Sequence, residues 1–400
     1  MEIRKIKPEE AVTSSLVSTI VFLGQESEDY RLRLQEPLAH SEGYERIWGA
    51  FDDNGKMCSS MHVHDFTIRY DGHDVGMGGV GGVATLPECR KGGYIRKIFE
   101  SCLPEMLESG KVFSFLYPFS FKFYRKFGYE ICYTPNKVRV PVSFFQSYPY
   151  PDNIELFIPG GHTRDFAEVY ETFSRGLNLA CARDEAAWER MLEKDPFITR
   201  HYAYLHKDEN GNPDAYLMFK TDEGHGDDGN SINVKELAWA TPGALHAMFG
   251  FIGGLSPQFE SFRWNAPRNV NLFSLFPESY EINAQLPANG MNRVVNVQKA
   301  FELMKAPKIN GSAVIGVNDA FLPQNTGVYA LEWENGVMRR VKRADKPADL
   351  EIDVETLAQL TTGWLNMDEA RYKRGVAVHG NDSVLNDLFV HKNLYIMEHF

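Results

Sequence analysis

No stretch of the 400 residues approaches the ~18 consecutive apolar residues that a membrane-spanning helix needs. The opening MEIRKIKPEE also lacks the apolar run of an export signal. A cytoplasmic protein with no membrane partner is expected. Basic charge is scarce: 42 Lys and Arg stand against 54 Asp and Glu, a net charge of −12. Nucleic-acid binding needs clustered cations that displace counterions, so no nucleic-acid partner is expected, whereas cationic ligands are compatible. Cys58, Cys89, Cys102, Cys132 and Cys181 are odd in number, scattered and without a C-x-x-C pair. They read as reduced, buried thiols, with no disulfide framework. His62 and His64 alternate on one strand face without a Cys or Asp cluster, so no metal is expected. Two nucleotide motifs are missing as well. There is no G-x-x-x-x-G-K-[ST], and no G-x-G-x-x-G opens a helix.

What is present centres on residues 80 to 107, VGGVATLPECRKGGYIRKIFESCLPEML. Val80 to Ala84 are small and β-branched and suit a buried strand; Pro87 ends it. Arg90-Lys91-Gly92-Gly93 is a tight basic turn. From Tyr94 the period changes: Ile95, Ile98, Phe99, Cys102, Leu103, Met106 and Leu107 mark one face of a helix that stops at Gly110. The first helical N–H groups point outward and unpaired, glycine lets a phosphate approach, and the helix dipole favours negative charge. An anion site follows, although a basic helix start on an ordinary α/β unit has the same pattern. Beyond it, KVFSFLY (111 to 117) reads as the next buried strand, and Tyr124 to Tyr129 ends the following short helix as Tyr-Arg-Lys-Phe-Gly-Tyr.

The turn resembles the pyrophosphate loop of the GNAT N-acetyltransferases, Arg/Gln-x-x-Gly-x-Gly/Ala. Arg90 and Gly93 match the first and fourth positions, and Ile95 departs from the small residue at the sixth. Together with Tyr124, the motif spacing and the final Phe400, the chain resembles the Enhanced intracellular survival (Eis) acetyltransferases. The likeness is specific over residues 1 to 140, weaker in the middle, and recognisable again from Met291 to Phe400.

That resemblance implies a mixed α+β chain of tandem GNAT-like domains followed by a sterol-carrier-protein-like α+β domain. Length and composition agree, since 43% hydrophobic and 24% charged residues fit two or three globular domains. The expected units are a catalytic GNAT domain at 1–145, a degenerate GNAT-like domain at 146–288 and the sterol-carrier-like domain at 289–400. In the first, helices are expected after Pro8, with Val12, Leu16, Ile20, Val21 and Leu23 inward, and over 26–43. The acids Glu26, Glu28 and Asp29 there are either acceptor contacts or solvated surface. Strands follow near 46–52, 56–70 and 129–145, with 146–162 as a linker. In the second unit, Ala240-Thr241-Pro242 repeats the strand–turn–helix plan without its basic residues, so this copy is expected to hold no coenzyme.

By the same resemblance, acetyl-CoA is the co-substrate. Val83, Ala84 and Thr85 meet its pantetheine arm. Arg90, Lys91, Gly92, Gly93, Tyr94, Ile95 and Arg96 hold the diphosphate, and Phe119 and Ser120 add a further contact. Tyr124 is the acid for the departing thiolate, phenol and thiol having neighbouring pKa values near ~10 and ~8.5; an ordinary core tyrosine is the alternative. The Phe400 α-carboxylate is the base for the acceptor amine, or else Phe400 simply completes the core. A homo-oligomer, hexameric by family resemblance, is implied. Three functions remain open: an N-acetyltransferase of small polycationic amines (aminoglycoside- or polyamine-like), a protein lysine acetyltransferase, and a lipid-binding protein with an inactive GNAT domain.

Overall fold

The computed structural model describes residues 1–22, 43–223, 229–276, 278–398 and 400. Leu23 and the acids Glu26, Glu28 and Asp29 of the helix expected over 26–43 lie outside them. The first unit runs β1 (Glu2–Lys5), α1 (Ala11–Val21), β2 (Ile47–Phe51), β3 (Met57–Tyr70), β4 (His73–Thr85), α2 (Tyr94–Glu108), β5 (Phe113–Leu116), α3 (Phe121–Arg125) and β6 (Glu130–Tyr133). The long β3–β4 hairpin turns at Asp71 and Gly72, both at positive φ, which matches the right-handed twist of the paired strands. α1 buries Ser14 and Val17, packs Val21 on the same core and half-buries Val12 and Leu16, but leaves Ile20, expected inward, exposed.

The expected single strand at 129–145 is two strands in different sheets. Pro135, which has no N–H to give a ladder, follows β6, and β7 (Asn136–Pro141) begins the second sheet. That unit continues with β8 (Ile154–Leu156), α4 (Arg164–Ser174), β9 (Cys181–Ala182), α5 (Glu185–Leu192), α6 (Pro196–Thr199), β10 (His201–Lys207), β11 (Pro213–Asp222), β12 (Ser231–Trp239), α7 (Pro242–Gly254), β13 (Ser261–Ala266) and β14 (Asn283–Gln285). The strands order as β14-β7-β13-β12-β11-β10-β8, while β9 leaves them to pair with β3. The stretch expected as a linker thus supplies an edge strand, β8.

The remaining chain comprises β15 (Gly290–Val294), α8 (Val297–Leu303), β16 (Gly311–Asn318), β17 (Gly327–Glu334), β18 (Val337–Arg343), β19 (Leu350–Asp353), α9 (Val354–Thr362), α10 (Met367–Ala370), β20 (Ala377–Val378) and α11 (Asp382–Leu388). β16–β20 form a sheet of order β18-β17-β16-β19-β20. β15 instead inserts between β5 and β6 and completes the first sheet, β1-β2-β3-β4-β5-β15-β6. One apolar core therefore runs from Ile68, Tyr70 and Phe113 in the first sheet to Ile315 and Leu331 in the third and Leu357 on α9, and takes in Leu394 and Ile396 near the chain end.

β15 also delivers Arg293, fully buried, to the far end of the Tyr124–Tyr129 segment. Its Nη2 donates to Asp319 at 2.6 Å and its Nη1 to the Phe127 carbonyl at 2.5 Å. Gly128, at φ +79°, makes room: a methyl group there would lie 1.6 Å from Nη1. Gly128→Ala is therefore expected to break the buried pair as well as strain the turn, costing roughly 3 kcal/mol or more. A lowered urea midpoint checks this; a variant as stable as the parent would show that the guanidinium is not held there.

Candidate active site

β4 and β5 run parallel, but their pairing ends at Val80–Leu116 while β4 continues to Thr85. A bulge opposite Ser60–His62, with Gly82 at φ +56°, turns the strand at that point. The two strands part there and leave a slot. Along it, Val83 is half-buried against the α2 side, Ala84 is buried beneath β4, and Thr85 Oγ1 is hydrogen-bonded to Ser59 Oγ at 2.8 Å. What these three offer the slot is main chain.

At its end the chain rises through a 3₁₀ turn into the loop. Arg90, Lys91, Gly92 and Gly93 are all exposed; Lys91 (φ 68°) and Gly93 (φ 76°) adopt left-handed conformations. Gly93 caps α2 without a side-chain hydrogen bond, and the first helical bond onto it comes from the Lys97 N–H. The N–H groups of Tyr94, Ile95 and Arg96 are therefore directed outward with no capping side chain, as an anion requires. The side chains divide differently. Ile95 is 7% exposed in the core against Ile98 and Phe99, so the departure at the sixth motif position is a packing anchor. Arg96 pairs with Glu100 at 3.0 Å and stacks on Phe321.

Beyond β5, Ser120 Oγ accepts from the Phe123 N–H and starts α3, while Phe119 is 68% exposed beside Phe123 and Tyr124. Tyr124 is 2% exposed, edge-on to Phe99, Phe119 and Phe123. Burial pushes its phenol well above the usual tyrosine range, so the hydroxyl keeps its proton at working pH.

The opposite face of β4 holds the chain end. Gly78 and Val80 face α2, whereas Gly79 and Gly81 face Phe400. A methyl group on Gly81 would lie 2.5 Å from the Phe400 carboxyl carbon, and one on Gly79 3.0 Å from its ring. The ring packs on Phe66 (5.0 Å), Tyr117 (5.7 Å), His64 (6.2 Å) and Phe115 (6.3 Å). Sequence reasoning saw the glycine run only as a missing nucleotide motif; its use is to clear a floor for the chain end.

A cavity of about 830 Å³ opens beside Phe66, between β3, α5 and β12, within the range of small-molecule sites. Met191, Met218 and Met397 supply apolar wall, Asp65, Asp184, Glu236 and Glu398 carboxylates, and Arg183, Arg190 and Lys235 cations. Arg183, which sequence reasoning missed, spans this wall. It donates to Glu236 Oε2 at 2.7 Å and Oε1 at 2.9 Å and to Glu398 at 2.8 Å, and it lies 3.9 Å over Tyr170. Burial alone would lower its pKa; the two carboxylates outweigh that and hold it well above the usual range. No sequence motif marks it, because its partners are 53 and 215 residues away.

Two family models described as an acetyltransferase (GNAT) domain match residues 2–132 and 179–294. The chain belongs to the GNAT acetyltransferases. A sterol carrier protein domain matches residues 297–397. Among solved structures, a GCN5-related N-acetyltransferase from Anabaena variabilis superposes over 100% of both chains, with TM-score 0.85 and 21% identity. Another from Kribbella flavida and Eis1 from Mycobacterium abscessus each do so with TM-score 0.81 and 18% identity. A search of curated proteins finds no match. The three-part architecture of this acetyltransferase is thus Eis-like throughout.

The second GNAT domain starts its helix α7 differently from α2. Thr241 Oγ1 accepts from the Ala244 N–H, Pro242 removes one N–H, and Asp152, Asp208 and Asp214 line the adjoining 500 Å³ pocket. Such an end offers fewer open N–H groups to an anion than α2 does. One acetyl-CoA per chain is expected by calorimetry, and a stoichiometry of two would refute the difference between the helices. Gly93→Glu, which puts a carboxylate beside the open α2 end, is expected to weaken coenzyme binding at least ~10-fold, matching the loss of one favourable charge contact at a helix N-terminus and its replacement by a repulsive one. Unchanged affinity in a folded variant would remove this loop from the site.

Proposed function

We propose that this chain is an acetyl-CoA-dependent N-acetyltransferase of primary amines on small polycationic acceptors, aminoglycoside- or polyamine-like, with Tyr124 as acid and the Phe400 α-carboxylate as base. The observation that carries the reading is the Phe400 carboxyl group lying on Gly81, where β4 turns away from β5. A carboxylate at that point would attract a substrate ammonium to the mouth of the slot in which a thioester would lie. The loop at Arg90–Arg96 fits a diphosphate, as its open N–H groups and exposed cations require. Acetyl-CoA supplies the activated acyl group when bound.

The chain's own residues then have distinct tasks. Main-chain groups of Val83 and Thr85 would polarise the acyl carbonyl at the splayed strand end. The carboxylate anchors the ammonium and draws off its first proton. Tyr124, kept protonated by burial, gives its proton to the departing sulfur and regains one from the acylated nitrogen. The methionine wall and the small-molecule size of the cavity suit an amine with an extended carbon skeleton more than a folded protein.

Screening amines for acetyl-CoA-dependent thiol release tests the activity. Appending residues after Phe400 converts its carboxylate to an amide and forces bulk onto Gly81. The extended enzyme is expected to lose at least ~10²-fold in kcat with acetyl-CoA affinity nearly intact. Tyr124→Phe is expected to lose turnover in the same way. Full turnover in a folded, extended enzyme would make Phe400 packing alone.

A further inference from the structure

We propose that Cys58 and Cys89 are a dithiol site that exchanges with an anionic small-molecule disulfide and closes to an intramolecular disulfide beside the Arg90–Gly93 turn. The two thiols are 31 residues apart in the chain and meet through the β3–β4 hairpin. Cys58 lies on β3 and is 1% exposed, whereas Cys89 is half-buried in the 3₁₀ turn that follows β4. The Leu86 N–H donates to the Cys58 carbonyl at 3.0 Å, and the Cys89 N–H to the Leu86 carbonyl at 2.9 Å, which folds the turn back over β3. The Cys89 thiol then donates to the Cys58 sulfur at 2.7 Å. A disulfide bond of ~2.05 Å needs little further movement from there. Cys102, Cys132 and Cys181 are each 1% exposed or less, so Cys89 is the thiol that a reagent in solution can reach.

The surroundings select the reagent. Arg90 follows Cys89 directly, Arg90 and Lys91 are exposed, and the Gly92 N–H donates to the Cys89 carbonyl at 3.4 Å, so the thiol belongs to the basic turn itself. Lys56 and Glu88, the other charges beside the pair, offset each other at 2.6 Å and leave the turn net positive. An anionic disulfide is drawn to such a field. The Cys58 sulfur is also the main cause that raises the Tyr94 phenol, to about 12, so it stands behind both the turn and the first residue of α2. Burial, and next the Cys58 thiol, hold Cys89 above the usual thiol range, with Lys56 opposing and Glu88 adding. Exchange is therefore slow at neutral pH and quickens as pH rises. In the first step Cys89 loses its proton and its thiolate attacks one sulfur of the reagent; the reagent's S–S bond breaks and one thiol leaves with a proton. Cys58 then loses its proton and attacks the Cys89 sulfur, and the second small thiol departs in the same way. Two protein thiols are oxidised and one small disulfide is reduced, so no further reactant is needed.

The full chain is incubated with glutathione disulfide at alkaline pH, quenched in acid, and its remaining thiols are alkylated after denaturation. The expected result is the loss of two of the five thiols, with Cys58 and Cys89 recovered as one cross-linked peptide and both thiols restored by dithiothreitol. Cys58→Ser is expected to stop at a glutathione adduct on Cys89, and Cys89→Ser to keep its thiols. Raising salt is expected to slow glutathione disulfide at least ~3-fold and to leave the neutral 2-hydroxyethyl disulfide unaffected, because screening acts only on the charged reagent. Five thiols retained, a lasting adduct without the cross-link, or a link to another cysteine would overturn the dithiol site. An equal salt response for both reagents would overturn the part given to Arg90 and Lys91. None of these outcomes bears on acetyl transfer, which the amine screen tests separately.

Discussion

Arg183 is the constraint on which the rest depends. Its side chain is 4% exposed, and its two partners belong to different parts of the chain: Glu236 on the second sheet and Glu398 two residues from the end. Tyr216 and Tyr395 donate to the same Glu236 carboxylate at 2.8 and 3.1 Å. Removing water from three charges is costly, and the cost is offset only while every partner is present. The cluster therefore holds only when the second GNAT sheet, the β9 segment against β3 and the chain end meet in one arrangement. It contributes less to net stability than to selecting that arrangement.

Within that frame the site is built largely by what side chains omit. β4 presents Val80 to α2 on one face and bare backbone at Gly79 and Gly81 on the other, and the aromatic chain end fills the clearance. Gly128 does the same for Arg293. Glycine in a strand forgoes packing and costs entropy, so a strand with Gly76, Gly78, Gly79, Gly81 and Gly82 would be poor unless other groups occupied the space. Here they do: Met106 above Gly78, Phe400 below Gly81, His62 against Gly82.

Local signals carried the sequence reading well. The period change at Tyr94 and the Thr241-Pro242 helix start each rest on residues within one turn of each other, and each appears where its chemistry demands. The misjudged features depend on distant partners. Nothing near residue 135 tells that β6 and β7 part into two sheets, and β15 looks like the start of the last unit although its ladder lies with β5 and β6. Arg183, Glu236 and Glu398 have no shared motif, and the seat of the chain end on Gly79 and Gly81 exists only through contacts between distant residues.

A chain terminus is an unpromising carrier for chemistry, since free ends fray and each residue ordered costs about 1–2 kcal/mol. The last segment is fixed at successive points. Lys392 reaches Asp71 at 2.6 Å and the Thr361 carbonyl at 2.9 Å. The Tyr395 N–H donates to Asn178, the Glu398 carboxylate accepts from Arg183, and the Glu398 carbonyl accepts from Tyr117. Leu394, Tyr395 and Ile396 are each 2% exposed or less. The ordering cost is thus met on folding, so that a group on the final residue would not have to be immobilised during reaction, the condition for electrostatic preorganisation. On this view the sterol-carrier fold acts as the mount for a twelve-residue arm: α11 ends at Leu388, and residues 389 to 400 run back to β4.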